Sequence, residues 1–270
     1  MSWIALVSFG TLVIAILILH KVRRVHLQGF KISEDLRCIM THLADLDGEI
    51  SRLYDQLQCY EDLIRVIQPV QPLPILRGWA ASPDFLLEVC RHALRARPQT
   101  IIECGSGAST LALARCCQLN ELGHVYSLEH DAHYAAQTRI RLQEQGLDAW
   151  ATVRTAPLMP QPTVEQRPWY STANLSLPAA SCTLLIIDGP PGDTAPLARY
   201  PALPLLLHWL AENCTIYLDD ANRQPERESV SRWLREYPDW ACEQMHCEKG
   251  CAKLTRTSAI PASSNAGTTM

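Results

Sequence analysis

Hydrophobic side chains follow one another without a charge from Trp3 to Leu19, in WIALVSFGTLVIAILIL. As a helix this run reaches about 26 Å at ~1.5 Å per residue, close to the ~30 Å hydrocarbon core of a bilayer, and it predicts a transmembrane anchor over residues 1–24. No basic side chain precedes Trp3, unlike the start of a cleaved signal peptide, whereas Lys21, Arg23 and Arg24 follow the run. That asymmetry predicts a single-pass protein of the inner (plasma) membrane, with the rest of the chain in the cytoplasm.

The spacing then changes. Leu36, Leu43, Ile50, Leu57 and Ile64 recur every seven residues, with Ile32, Ile39, Leu46, Leu53, Tyr60 and Ile67 at the matching second positions. Such a stripe predicts a coiled-coil stalk over 25–67 and a homodimer formed through it. A helix folded back on its own domain is the alternative, because Gly48 interrupts the middle. Ser33 is expected to cap this helix, with Glu34 and Asp35 in its first turn. The proline-rich QPVQPLP cannot continue a helix and predicts a stiff linker over 68–79.

From Ser82 onward helix and strand patterns alternate. Ser82 is suited to an N-cap and Pro83 to the first helical position. Apolar strand-like runs lie near 100–104, 124–128, 151–155, 183–187 and 214–218, most of them separated by helix-length segments. The alternation predicts an α/β domain over 80–257 with a doubly wound, mostly parallel sheet. WACEQMHCEKGCAKLTR predicts a closing antiparallel hairpin around Lys249 and Gly250. Residues 258–270 are small and polar and read as a disordered tail.

Composition narrows the partners. The 24 basic and 28 acidic side chains leave a net charge of -4, without the basic excess that binding a nucleic acid requires. Eleven cysteines are an odd number at irregular spacings, which reads as reduced thiols and not as a disulfide scaffold. Cys242, Cys247 and Cys251 surround His246 without any C-x-x-C pair, so packed thiols are expected there in place of zinc.

The candidate chemistry begins at ECGSGAST. Gly105, Ser106 and Gly107 follow a strand and precede a helix starting near Ser109, a loop through which backbone N–H groups approach a nucleotide. A dinucleotide loop carries a third glycine where this chain has Thr110. Glu103 precedes the loop, and Glu129 ends the next strand in VYSLEHD, where an acid can accept two hydrogen bonds from a ribose diol. NAD sites and S-adenosylmethionine sites share that device. Asp188 in LLIIDGPPG should emerge at the carboxyl edge of the sheet, where doubly wound folds bind ligands. Asp219, Asp220 and Asn222 in IYLDDANR repeat the arrangement, and with Asp188 make an oxygen-rich set suited to a hard cation such as Mg²⁺.

The order ECGSGAST, VYSLEHD, LLIIDGPPG, IYLDDANR and closing hairpin resembles the class I S-adenosylmethionine-dependent methyltransferases, over roughly residues 80–257. The resemblance implies a Rossmann-like sheet of seven strands with the last antiparallel. It also implies that Glu103, Gly105, Ser106, Gly107 and Ser109 lie by the methionine portion of S-adenosylmethionine, with Glu129 on the ribose and His130 on the adenosine side. No pyrophosphate is then present to require a third glycine, and Thr110 is no anomaly. ARYPALPLLL at 198–207 and the paired acids are similar to the catechol-type O-methyltransferases. That likeness implies Asp188 as the catalytic base or a metal ligand, with Mg²⁺ on Asp188, Asp219, Asp220 and Asn222. The family's Asp-Asn pair is broken here, since Ala221 follows Asp220. The expected function is O-methylation of a hydroxyl on a small molecule or on a lipid-linked, envelope-associated glycan, the latter from the anchor alone. An NAD-linked epimerase or reductase is the first alternative, with Thr110 and the missing Tyr-x-x-x-Lys dyad against it. A non-catalytic membrane scaffold is the second, with the intact Glu103, Gly105, Gly107, Glu129 and Asp188 against it.

Overall fold

The computed structural model describes residues 3–76, 78–173 and 175–257, the side chains of 4–6 excepted. The tail read at 258–270 lies outside the described residues. The chain divides into two units, Met1–Asp55 and Gln56–Met270.

The first unit is helical. Helix α1 (Trp3–Ile67) begins in it and ends in the second. It runs unbroken through Ser33, which is therefore no N-cap, and through Gly48. Its heptad side chains from Ile32 to Leu53 are exposed. The membrane-anchor expectation does not hold: among the described residues no helix is long and apolar enough to cross a membrane. The uncharged run Trp3–Leu19 of the sequence is followed at once by His20, Lys21, Arg23 and Arg24, short of the ~20 residues a span usually takes. The reading of a single-pass inner-membrane protein with a cytoplasmic domain falls with it.

The end of α1 is part of the second unit's core. Leu63 and Ile67 have no exposed surface and pack with Phe85, Leu86 and Val89. The helix stops at Ile67, where Gln68 turns to φ 43° ahead of Pro69. The division between units thus falls at Asp55/Gln56, ahead of the proline-rich stretch.

The second unit continues with α2 (Pro83–Ala96), β1 (Thr100–Cys104), α3 (Ala108–Asn120), β2 (His124–Glu129), α4 (Ala132–Glu144) and β3 (Ala151–Thr155). A short hairpin follows, β4 (Leu158–Gln161) and β5 (Arg167–Tyr170), then β6 (Cys182–Ile187), α5 (Ala202–Leu206), β7 (Leu210–Asp219), α6 (Gln224–Glu236), β8 (Trp240–Met245) and β9 (Cys251–Arg256). The main sheet has seven strands in the order β3-β2-β1-β6-β7-β9-β8, parallel except that β9 runs antiparallel to both neighbours. This is the doubly wound, mostly parallel Rossmann-like sheet expected from the alternating pattern. The β4–β5 hairpin was not expected, because Pro160 and Pro168, which face each other across it, count against strand in a sequence.

Both faces of the sheet are covered, which explains the unbroken apolar runs in its central strands. Ile101, Leu184 and Ile186 face the end of α1, α2 and α3, while their neighbours Ile102, Leu185 and Ile187 face the layer of α5 and α6. Pro83 opens α2 as expected, but the Ser82 hydroxyl donates to Asp84 Oδ1 (2.5 Å) and does not cap the helix. Asp84 Oδ2 in turn accepts from Gln56 Nε2 (2.8 Å) and the Glu248 amide (2.6 Å), joining the end of α1 and the β8–β9 turn to α2.

Because Leu63 is wholly buried at this junction, Leu63→Ala should cost ~2–5 kcal/mol in urea unfolding of the full chain. A loss below about 1 kcal/mol would mean that the end of α1 does not support the domain core.

Candidate active site

Strand register gathers the site. Cys104 is paired with Leu128 and with Ile187, and Ile187 with Leu218. Gly105, Glu129, Asp188 and Asp219 each come one residue later, so all four leave the sheet at its carboxyl edge. A cavity of about 820 Å³ opens there.

The loop between β1 and α3 is held from both sides. Gly105 has φ +95°, and a Cβ there would stand 3.3 Å from the Gly189 amide nitrogen. A Cβ on Gly189 would collide with Tyr170 Oη, so the loops after β1 and β6 approach as only glycine allows. Thr110 closes the first loop: its hydroxyl donates to Glu103 Oε2 (2.5 Å) and accepts from the Gly107 amide (3.0 Å). Burial pushes the Glu103 carboxyl up to about 7, against the hydroxyls of Ser127, Thr110 and Ser109 that favour its charged form. Its Oε1 has no hydrogen-bond partner among the described residues.

Glu129 faces the cavity. Its Oε2 accepts from the amide (2.8 Å) and hydroxyl (3.1 Å) of Ser106, and its Oε1 from the Asp131 amide (3.0 Å). His130 Nδ1 lies 3.0 Å from the same Oε1 but is not hydrogen-bonded to it. Of the residues expected around a cofactor, Gly105, Ser106, Glu129 and His130 line the cavity, while Glu103, Gly107 and Ser109 do not. Glu103 and Ser109 are buried behind the loop they support.

The acids after β6 and β7 come together as expected, yet around a group that was not expected. Asp188, Asp219 and Asp220 each place a carboxylate oxygen within 4.8 Å of the others. The guanidinium of Arg199 lies among them, with Nη2 2.7 Å from Asp220 Oδ2 and 3.5 Å from Asp188 Oδ1. Asn222 does not join them: it is exposed, its amide lies against Gly250, and it does not line the cavity. Burial, then the neighbouring Asp219, pushes the Asp188 carboxyl well above its ordinary value, although Arg199 opposes this. The Asp188 side chain nonetheless keeps 15% of its surface open. Burial and the Asp220 charge raise Asp219 to about 6. Lys249 also reaches the cavity, its Nζ donating to the carbonyls of Gly78 (3.1 Å) and Ala80 (2.8 Å). Arg199 was legible in one respect: it is the only Lys or Arg between Asp188 and Asp219. Lys249 stands in the predicted hairpin turn, and no pattern marks it for the site.

Comparison with known proteins agrees with this geometry. A family model described as a methyltransferase domain matches residues 102–221. Among solved structures, a methyltransferase of Podospora anserina bound to S-adenosylhomocysteine is similar at 14% identity and a TM-score of 0.56, covering 79% of this chain and 96% of that one. An O-methyltransferase of Bacillus cereus, also with S-adenosylhomocysteine, is similar at 17% identity and a TM-score of 0.51, covering 74% and 91%. A search of the curated proteins found no match.

The buried Glu103 gives a pH signature. Its carboxyl titrates near 7 in the fold against 4.5 for an ordinary glutamate, so the folded state holds a proton that the unfolded chain has released. The contribution is complete below 4.5 and is lost as pH rises through about 7, an effect on the order of 3 kcal/mol. Glu103→Gln removes that titration, and its stability to urea should decline less than the wild type's across this range. Equal pH dependence in both proteins would show that Glu103 is ionised throughout.

Proposed function

We infer that this chain, which carries an S-adenosylmethionine-dependent methyltransferase domain, methylates a hydroxyl of a small-molecule acceptor. The observation that carries this reading is the meeting of Gly105, Ser106, Glu129 and Asp188 around one cavity at the carboxyl edge of the sheet. Its volume is within the ~300–1,000 Å³ usual for small-molecule sites. When bound, S-adenosylmethionine supplies a methyl group already activated on a positive sulfur. The residues of the chain therefore have to bind, align and remove a proton.

Glu129 is suited to the ribose diol. One hydroxyl can donate to the side of Oε1 that His130 leaves without a hydrogen bond. The other can replace the Ser106 hydroxyl on Oε2, since Ser106 Oγ has Thr138 Oγ1 at 3.2 Å as a second partner. His130, edge-on to Tyr170 at 6.2 Å between ring centroids, would flank the adenosine. Glu103, with Ser109 beside it, supports the loop from behind through Thr110, which ties the loop at the Gly107 amide.

Asp188 is the catalytic base in this reading. As the new O–CH₃ bond forms and the S–CH₃ bond breaks, the acceptor's hydroxyl proton passes to the Asp188 carboxylate. Because burial and the neighbouring Asp219 raise its carboxyl, turnover should climb as pH rises through the titration of Asp188. The Mg²⁺ implied by the catechol-type likeness does not fit, because Arg199 occupies the acids that would bind it. The envelope-glycan acceptor rested on the membrane anchor alone and lapses with it.

Binding of S-adenosylhomocysteine and of NAD to the full chain, measured by calorimetry, tests the reading, with affinity expected for the first only. Glu129→Ala should weaken S-adenosylhomocysteine about a hundredfold or more, from the loss of two charge-assisted hydrogen bonds. Undiminished affinity would remove the ribose assignment. Asp188→Asn should keep that affinity and lose methyl transfer to a panel of phenolic and sugar hydroxyls. Parallel loss of both would make Asp188 structural.

The same reading assigns the exposed heptad stripe from Ile32 to Leu53 to a second copy of the chain, packed as a coiled coil. Sedimentation should give a dimer that Leu43→Asp with Ile50→Asp converts to a monomer. A monomeric wild type would overturn this part.

A further inference from the structure

Asp188, Asp219 and Asp220 form the kind of donor set that a hard divalent ion takes. Asp219 Oδ2 is buried and has no hydrogen-bond partner among the described residues. The space between the carboxylates, however, belongs to Arg199. Nη2 donates to Asp220 Oδ2 (2.7 Å) and to the Asp188 carbonyl (2.8 Å), and Nη1 donates to the Asp219 carbonyl (2.9 Å). Nε lies 3.8 Å from Glu226 Oε1, so a fourth acid borders the same planar group. Only 4% of the Arg199 side chain is exposed.

Two further carboxylate oxygens also have close neighbours, although Asp220 Oδ1, like Asp219 Oδ2, has no hydrogen-bond partner among the described residues. Asp219 Oδ1 accepts from the Asp220 amide (2.8 Å), and Asp220 Oδ1 faces Arg223 Nη2 at 3.0 Å. Asp220 itself has φ 59°, the left-handed conformation that a non-glycine residue rarely adopts, and it brings this carboxylate to the guanidinium. The backbone next to Arg199 is anchored to the back of the domain. Its neighbour Tyr200 accepts at its carbonyl from Trp233 Nε1 (2.9 Å) and donates its hydroxyl to Glu236 Oε2 (2.6 Å). A dication entering the cluster would have to expel a buried guanidinium or sit beside its charge, and either is costly.

We propose that Arg199 is the resident cation of this cluster, a guanidinium fixed where a divalent ion would otherwise bind, and that it positions Asp188 at the cavity wall. The site then neither takes nor needs a divalent metal. The occupancy of the cluster is independent of the methyltransferase reading, and only the role of Asp188 rests on it.

Mn²⁺ is the probe, followed by electron paramagnetic resonance on the full chain. The wild type should leave added Mn²⁺ free. Arg199→Ala, which empties the centre of the cluster, should gain a site at least about tenfold tighter than any in the wild type. Adding Asp219→Asn to that variant should abolish the gain. A purely structural role for Arg199 would not create a metal site. Stoichiometric Mn²⁺ binding by the wild type that Asp219→Asn removes would overturn the proposal, as would a folded Arg199→Ala with no gain. If Arg199→Ala does not fold, Arg199→Gln is used in its place, and the wild-type titration still decides the first point. Binding of S-adenosylhomocysteine in the same samples separates this outcome from failure of the methyltransferase reading.

Discussion

Acids buried together at the ends of two adjacent parallel strands need a compensating positive charge or a proton. Asp188, Asp219 and Asp220 leave β6 and β7 at the same edge, and Glu226 follows at the start of α6. One guanidinium, from the connection between those strands, lies against all four residues. Its own charge is raised in stability: burial works against it, and the surrounding carboxylates more than compensate. The wall of the cavity, the left-handed turn at Asp220 and the hydrogen bond of Trp233 to Tyr200 all adjoin that single group.

On the other side of the cavity the same problem has a different answer. Glu103 is fully buried with no cation beside it, and burial favours the protonated carboxyl. Hydroxyls complete the arrangement, and the one from Thr110 also receives the Gly107 amide that begins α3. Two buried acid sites therefore frame one cavity, one neutralised by an arginine and the other by a proton. Glu129, at the end of the next strand β2, lines the cavity and is held by backbone amides.

Helix α1 shows how one apolar periodicity can serve two ends. From Ile32 to Leu53 the described side chains of its stripe are exposed within the first unit, while Leu63, about one turn from its end, and Ile67, its last residue, are sealed in the core of the second. Ile67 continues the heptad stripe, and Leu63 lies one turn before it. What differs is whether α2 and α3 are there to cover it.

The sequence by itself determined the layered α/β fold, since apolar runs between helix-length segments have few stable arrangements other than a covered parallel sheet. It also marked the strand-end residues Gly105, Glu129, Asp188 and Asp219, because a short apolar run followed by Gly or Asp is a local signal. Among the readings from local pattern alone that did not survive, two lie in α1. The apolar run near the N-terminus reaches basic residues too soon to span a bilayer, and Ser33 caps nothing because the helix is already formed before it. Only the tertiary structure decided that Arg199 enters the acid cluster, that Asn222 stays outside it and that Thr110 ties Glu103 to the loop. Those outcomes depend on through-space approach between segments far apart in the chain, and on burial, which turns a nearby charge or hydroxyl into a required partner. Neither quantity is written in the spacing of residues along a strand or helix.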